Sequence, residues 1–199
     1  MTTFEQQVLF AINSNKQYQQ EVTALVEEAF EQKKQEMMQE FSSHPVTIEL
    51  SDENSSNISS TLGGYGNLFG FIGFSKGSDP IGPVEDRLRE LVSLLDISFD
   101  KVTSKVKIKY NAPELDDFGD VAQYDGWREG GNWLKGIERG IAGLQYFRTT
   151  IGEQERGRSG LGIQMKGNVK GFSGGRNRFG NKKYMTAIIN NFKSSLAKI

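Results

Sequence analysis

The chain has 199 residues, 25 % of them charged and 36 % hydrophobic, with a formal net charge of −1 and no cysteine. That length suits one compact domain with a sizeable core, and the missing thiols exclude a disulfide framework and any thiolate metal site. Charge is spread unevenly: residues 1–60 hold ten acids and three bases, residues 61–155 fifteen and eleven, and residues 156–199 ten bases and no acid.

The opening residues Met1-Thr2-Thr3-Phe4-Glu5-Gln6 lack a basic segment followed by an apolar one, so no signal peptide is expected. No apolar run approaches the roughly 18 residues that a membrane span needs. Phe4, Val8 and Ile12 suggest a short helical piece, with Ser14 as N-cap of a longer helix. Tyr18, Val22, Leu25, Val26, Ala29, Phe30, Met37 and Phe41 recur at helical spacing, with Glu, Gln and Lys opposite. Pro45 after His44 stops that helix, because a residue before proline is pushed out of the α region. Val46, Ile48 and Leu50 then alternate with Thr47, Glu49 and Ser51, the period of a half-buried strand.

The polar stretch Ser51 to Ser60 reads as a turn or mobile loop. It leads into Gly63-Gly64-Tyr65-Gly66-Asn67-Leu68-Phe69-Gly70-Phe71-Ile72-Gly73-Phe74, whose glycines and aromatics argue against a helix. Glycine raises the entropic cost of ordering, so the large apolar area of Tyr65, Phe69, Phe71 and Phe74 has to be buried in compensation. Three sites are open: the domain's own core, a neighbouring subunit, or a lipid bilayer.

Val84, Leu88, Leu91, Val92 and Leu95 mark a second amphipathic helix after Pro80 and Pro83. From Lys101 to Tyr110, Val102, Val106, Ile108 and Tyr110 face one side and Lys101, Lys105, Lys107 and Lys109 the other, a strand whose lysine face is solvated or meets an acidic partner. An acidic loop spans Asn111 to Asp120. Trp127, Trp133, Leu134, Ile137, Ile141, Leu144 and Phe147 come next at helical spacing, with Gly136, Gly140 and Gly143 implying close packing or breaks. Leu161, Ile163 and Met165 form a short strand, Gly167 to Gly180 a loop, and Tyr184, Ala187, Ile188, Phe192 and Leu196 a final helix. The expected fold is α+β: one domain over 1–199, a small mostly antiparallel or mixed sheet packed by helices, with Gly-rich loops at about 51–80 and 152–180.

Catalytic chemistry finds little support. His44 is the only histidine and sits at a helix end, where a local role is the default. No serine is singled out beside a base. Asp116, Asp117 and Asp120 lack the calcium-loop spacing and its terminal glutamate. Gly64-Tyr65-Gly66 begins a dinucleotide fingerprint that no later glycine completes, and a Gly-Lys-Ser/Thr phosphate loop is absent. No enzyme activity, cofactor or metal is therefore expected. The basic set Arg156, Arg158, Lys166, Lys170, Arg176, Arg178, Lys182 and Lys183, interleaved with Phe172, Phe179 and Tyr184, suits either an acidic neighbour or a nucleic-acid backbone, with the neighbour favoured.

The long N-terminal helix ending at His44-Pro45, the segment Val46-Thr47-Ile48-Glu49-Leu50, the Gly-rich apolar loop, and Asn177-Arg178-Phe179 running into a helix resemble the head–tail joining and tail-completion proteins of tailed bacteriophages. That resemblance implies a structural virion protein of the neck or tail, assembled in the host cytoplasm. It also implies a homo-oligomeric ring whose partners are further copies and neighbouring neck, portal-adaptor or tail proteins, with non-specific DNA contact open and no membrane. Ring contacts of this kind are heterologous, one patch meeting a different patch on the next copy. The expected interface residues are Tyr65, Leu68, Phe69, Phe71 and Phe74 in the loop, with Glu27, Glu28 and Glu31 pairing with the basic C-terminal third, which otherwise lines the DNA passage. Another tail or baseplate component, or a nucleic-acid-binding accessory protein, is the alternative.

Overall fold

The computed structural model describes residues 3–51, 68–100, 105–123, 131–139, 146–148, 163–165 and 183–198. Among them the chain forms α1 (Phe4–Asn13), α2 (Lys16–Ser43), α3 (Pro45–Ser51), α4 (Leu68–Ile72) and α5 (Gly82–Leu91). Next come strands β1 (Ser93–Phe99) and β2 (Val106–Asn111), a 3-10 turn at Leu115–Phe118, α6 (Trp133–Arg139), β3 (Tyr146–Arg148), β4 (Ile163–Met165) and α7 (Met185–Leu196). The fold is α+β and mostly helical, with two separate antiparallel strand pairs, β1 with β2 and β3 with β4.

Helix α2 is the long helix expected, but its N-cap is Asn15. The Asn15 Oδ1 accepts from the backbone N–H of Gln17 at 2.9 Å and of Tyr18 at 3.3 Å. Ser14 instead finishes α1, its N–H donating to the Phe10 carbonyl. His44 is extended at the α2 C-cap, as a residue before proline must be.

From Pro45 the chain forms a helix and not the strand that alternation suggested. Proline is well suited to a first helical turn, where its missing N–H has no partner to lose. His44 completes the restart: its Nδ1 accepts from the Val46 N–H and its carbonyl from the Ile48 N–H. The buried residues are Val46, Thr47 and Leu50, while Ile48 is 54 % exposed. Burial at i, i+1 and i+4 is a helical spacing that a strand cannot produce.

The Gly/Phe segment also departs from expectation over its described residues. Leu68–Ile72 is a short helix despite Gly70, and Gly73, at a φ of 91°, ends it with its N–H bonded back to the Phe69 carbonyl. Only a residue without a Cβ takes that conformation at no steric cost.

Helix α5 stops at Leu91, so Leu95 belongs to β1 and not to the helix. Its start is fixed by Asp79, whose Oδ1 accepts from the N–H of Ile81 and of Gly82. The β1–β2 ladder runs from Ser93 opposite Asn111 to Phe99 opposite Val106, with an irregularity between Leu94 and Asp96 that leaves Leu95 outside the pairing and exposed. From Lys105 through β2 the alternation holds: Lys105, Lys107 and Lys109 are exposed, and Val106, Ile108 and Tyr110 are half-buried, while Lys101 and Val102 lie outside the described residues. Phe147 lies on β3 opposite Gln164, so the helix expected from Trp127 to Phe147 is realised only as α6 within the described residues.

The core gathers Phe30, Met37 and Phe41 of α2 with Ile188, Ile189, Phe192 and Leu196 of α7. Phe30, Tyr110 and Phe192 form a ring cluster joining α2, β2 and α7, with centroids 5.9 to 6.4 Å apart. Trp133, Leu134 and Ile137 bring α6 into the same core.

Candidate assembly surface

Three of the five loop residues expected at a subunit interface are inside the protein's own core. Leu68, Phe69 and Phe74 are all nearly inaccessible. The Phe69 and Phe74 rings lie 5.3 Å apart, and Phe74 meets Trp133 edge-on at 5.9 Å. The single chain already satisfies them, which corrects their placement at a contact between copies. Phe71 shares helix α4 with Leu68 and Phe69. Tyr65 lies outside the described residues, as do Arg156, Arg158, Lys166, Lys170, Arg176, Arg178 and Lys182.

Glu27, Glu28 and Glu31 stand on α2 toward solvent, and none makes an ion pair among the described residues. Three uncompensated carboxylates within two helical turns repel one another by a few tenths of a kcal/mol per neighbouring pair. Such a face is favoured in water or opposite positive charge. Beside them Leu25 is 64 % exposed. Lys183, the one described member of the basic set, is also exposed, whereas Tyr184 is fully buried and so removed from the aromatic residues available for base stacking.

The acidic loop is committed internally. Asp116 pairs with Lys135 at 2.8 Å, Asp120 with Arg87, and the Asp117 carboxylate accepts from the Glu114 N–H in a capping box. No group of three or more His, Asp or Glu side chains comes together as a metal site among the described residues.

His44 has the structural role its position suggested. Its ring packs 4.7 Å from that of Tyr184. With Nδ1 accepting from Val46, the neutral ring carries its proton on Nε2. Burial lowers its pKa below the ordinary 6.5, against the opposing pull of Glu40, a hydrogen bond to the Lys183 backbone, and Glu138. The Tyr184 hydroxyl is pushed above its ordinary value by burial, with its bond to Thr47 pulling the other way.

The surface that pattern reading passed over is α1. Phe4 is 80 % exposed, and Val8, Leu9, Phe10 and Ile12 also stand in solvent. The spacing of Phe4, Val8 and Ile12 marked a helix, but spacing alone did not say whether the chain's own core would cover it. No helix among the described residues is long and apolar enough to cross a membrane. No family model, curated protein or solved structure matches the chain.

Proposed function

We propose that the protein is a structural subunit of a tailed-phage particle, a ring-forming component of the neck at the head–tail connection or at tail completion. Its role is mechanical. The observation that carries this is the acidic face of Glu27, Glu28 and Glu31 on α2, without ion pairs among the described residues, in a chain whose residues 156–199 hold ten bases and no acid. Two complementary patches on one chain satisfy each other between copies when each is presented to a neighbour, and such heterologous contacts form a ring when the rotation from copy to copy closes. Of the elements that suggested neck proteins, the long helix α2 ending at His44-Pro45 supports the reading, whereas Val46 to Leu50 is a helix and not the strand that the resemblance included.

Mass spectrometry of purified particles, with immunogold labelling of the intact virion, tests the proposal. Label at the neck or tail supports it, and particles devoid of the chain contradict it.

The second reading is nucleic-acid contact through the basic third. It is favoured by the absence of any acid across residues 156–199. It expects duplex DNA binding whose affinity falls steeply with salt, and a shallower slope in an Arg176→Ala/Arg178→Ala variant. No binding at low salt removes it.

A further inference from the structure

Five of the nine large apolar side chains exposed among the described residues belong to α1, a ten-residue helix whose one buried residue among those described is Asn13. Phe4, Val8 and Ile12 lie at i, i+4 and i+8, with Leu9 beside them, so they form one continuous stripe. Isolated helices shorter than about 12 residues are marginal in water. At its end α1 is tied to α2, where the Gln19 side chain donates to the Asn13 carbonyl at 2.6 Å. A short helix that is apolar along an exposed stripe gains from a partner that covers the stripe.

Charge identifies that partner. Helix α1 carries one charged residue, Glu5, and runs into α2 with its Glu27, Glu28 and Glu31. An anionic bilayer repels these acids, and no Lys or Arg of α1 anchors it to headgroups. A second copy brings the complement in its own basic residues 156–199. We propose that α1 is a docking arm whose Phe4, Val8, Leu9 and Ile12 stripe is covered by a second copy of the chain, with the α2 glutamates facing that copy's basic C-terminal third. The arm supplies apolar area, and the charges set orientation and the rate of encounter. The proposal rests on the assembly function only in expecting self-association.

The test is sedimentation velocity of the full chain and of an F4S/V8S/I12S variant, over a concentration series and at low and high salt. Because all three side chains lie outside the core, the variant keeps the wild-type thermal transition. The wild type is expected to associate and the variant to sediment as a monomer. An E27K/E28K/E31K variant is expected to weaken association at least about tenfold at low salt, and the difference is expected to shrink as salt screens it. Association of F4S/V8S/I12S equal to that of the wild type overturns the docking arm and leaves the ring proposal standing. A wild type monomeric at every concentration overturns it as well. So does flotation of monomeric wild type, but not the variant, with phosphatidylcholine/phosphatidylglycerol vesicles. Particles that lack the chain speak against the virion function alone.

Discussion

The hydroxyls of Thr47 and Tyr184 meet at 2.6 Å inside the protein, joining α3 to the start of α7 across 137 residues of sequence. Both side chains are buried, so each hydroxyl depends on the other. Replacing Thr47 by Val leaves the Tyr184 hydroxyl unsatisfied and is expected to cost about 1–3 kcal/mol. The double variant T47V/Y184F is expected to cost less than the two single losses added together. Urea denaturation of the four proteins measures the coupling, and strict additivity would show that the two groups do not depend on one another.

Tyr184 also marks where α7 is capped. Glu138 on α6 accepts, through one oxygen, from the N–H of Tyr184 at 3.2 Å and of Thr186 at 2.8 Å. A carboxylate at a helix N-terminus satisfies orphan donors and complements the dipole. Glu138→Ala is expected to lose about 1 kcal/mol, and Glu138→Gln less, because the amide oxygen keeps the acceptor. An alanine variant as stable as the wild type in denaturant titration contradicts the cap.

Proton uptake by His44 opposes folding. Its folded pKa lies below 6.5 because of burial, so the unfolded chain takes the proton first as the pH falls. Stability from this group is complete above about 6.5 and declines as the pH drops from there toward the folded value. Protonation also puts a hydrogen on Nδ1, which then no longer accepts from Val46. His44→Asn is expected to flatten the dependence of the urea midpoint on pH across that window. Identical profiles for the two proteins would remove His44 as the source.

Helix α3 and a strand over the same residues make opposite claims about Ile48. In the helix Ile48 faces solvent and Leu50 is buried, so Leu50→Ala is expected to cost about 2–5 kcal/mol and Ile48→Ala to stay within about 0.5 kcal/mol. Comparable losses at the two positions would restore the strand. Phe69→Ala is expected to cost about 3–5 kcal/mol as a core truncation, a loss that a residue reserved for a neighbouring copy would not show in the monomer.

These residues also show how far sequence alone reaches. Helices α2 and α7 were legible because their apolar positions repeat at helical spacing over many turns. The lysine face of β2 was legible because Lys107 and Lys109, with Lys105 just before the strand, alternate with apolar residues. Val46, Ile48 and Leu50 alternate equally well, and only the His44 side chain capping a helix opened by Pro45 decides the matter. Strand β1 was hidden because Leu91, Val92 and Leu95 continue the period of α5, and nothing local announces that the ladder with β2 takes over. Of the candidate surface, the acidic α2 face came from charge. Burial of Phe69 and Phe74 required the tertiary position of Trp133, and exposure of α1 required knowing where the core ends.

Native mass spectrometry of the full chain, over rising concentration and at low ionic strength, tests most directly whether it is an assembly subunit. The expected result is a closed species of fixed copy number that dissociates as salt rises and is absent for F4S/V8S/I12S. A wild-type protein that remains monomeric throughout contradicts the ring and the docking arm together.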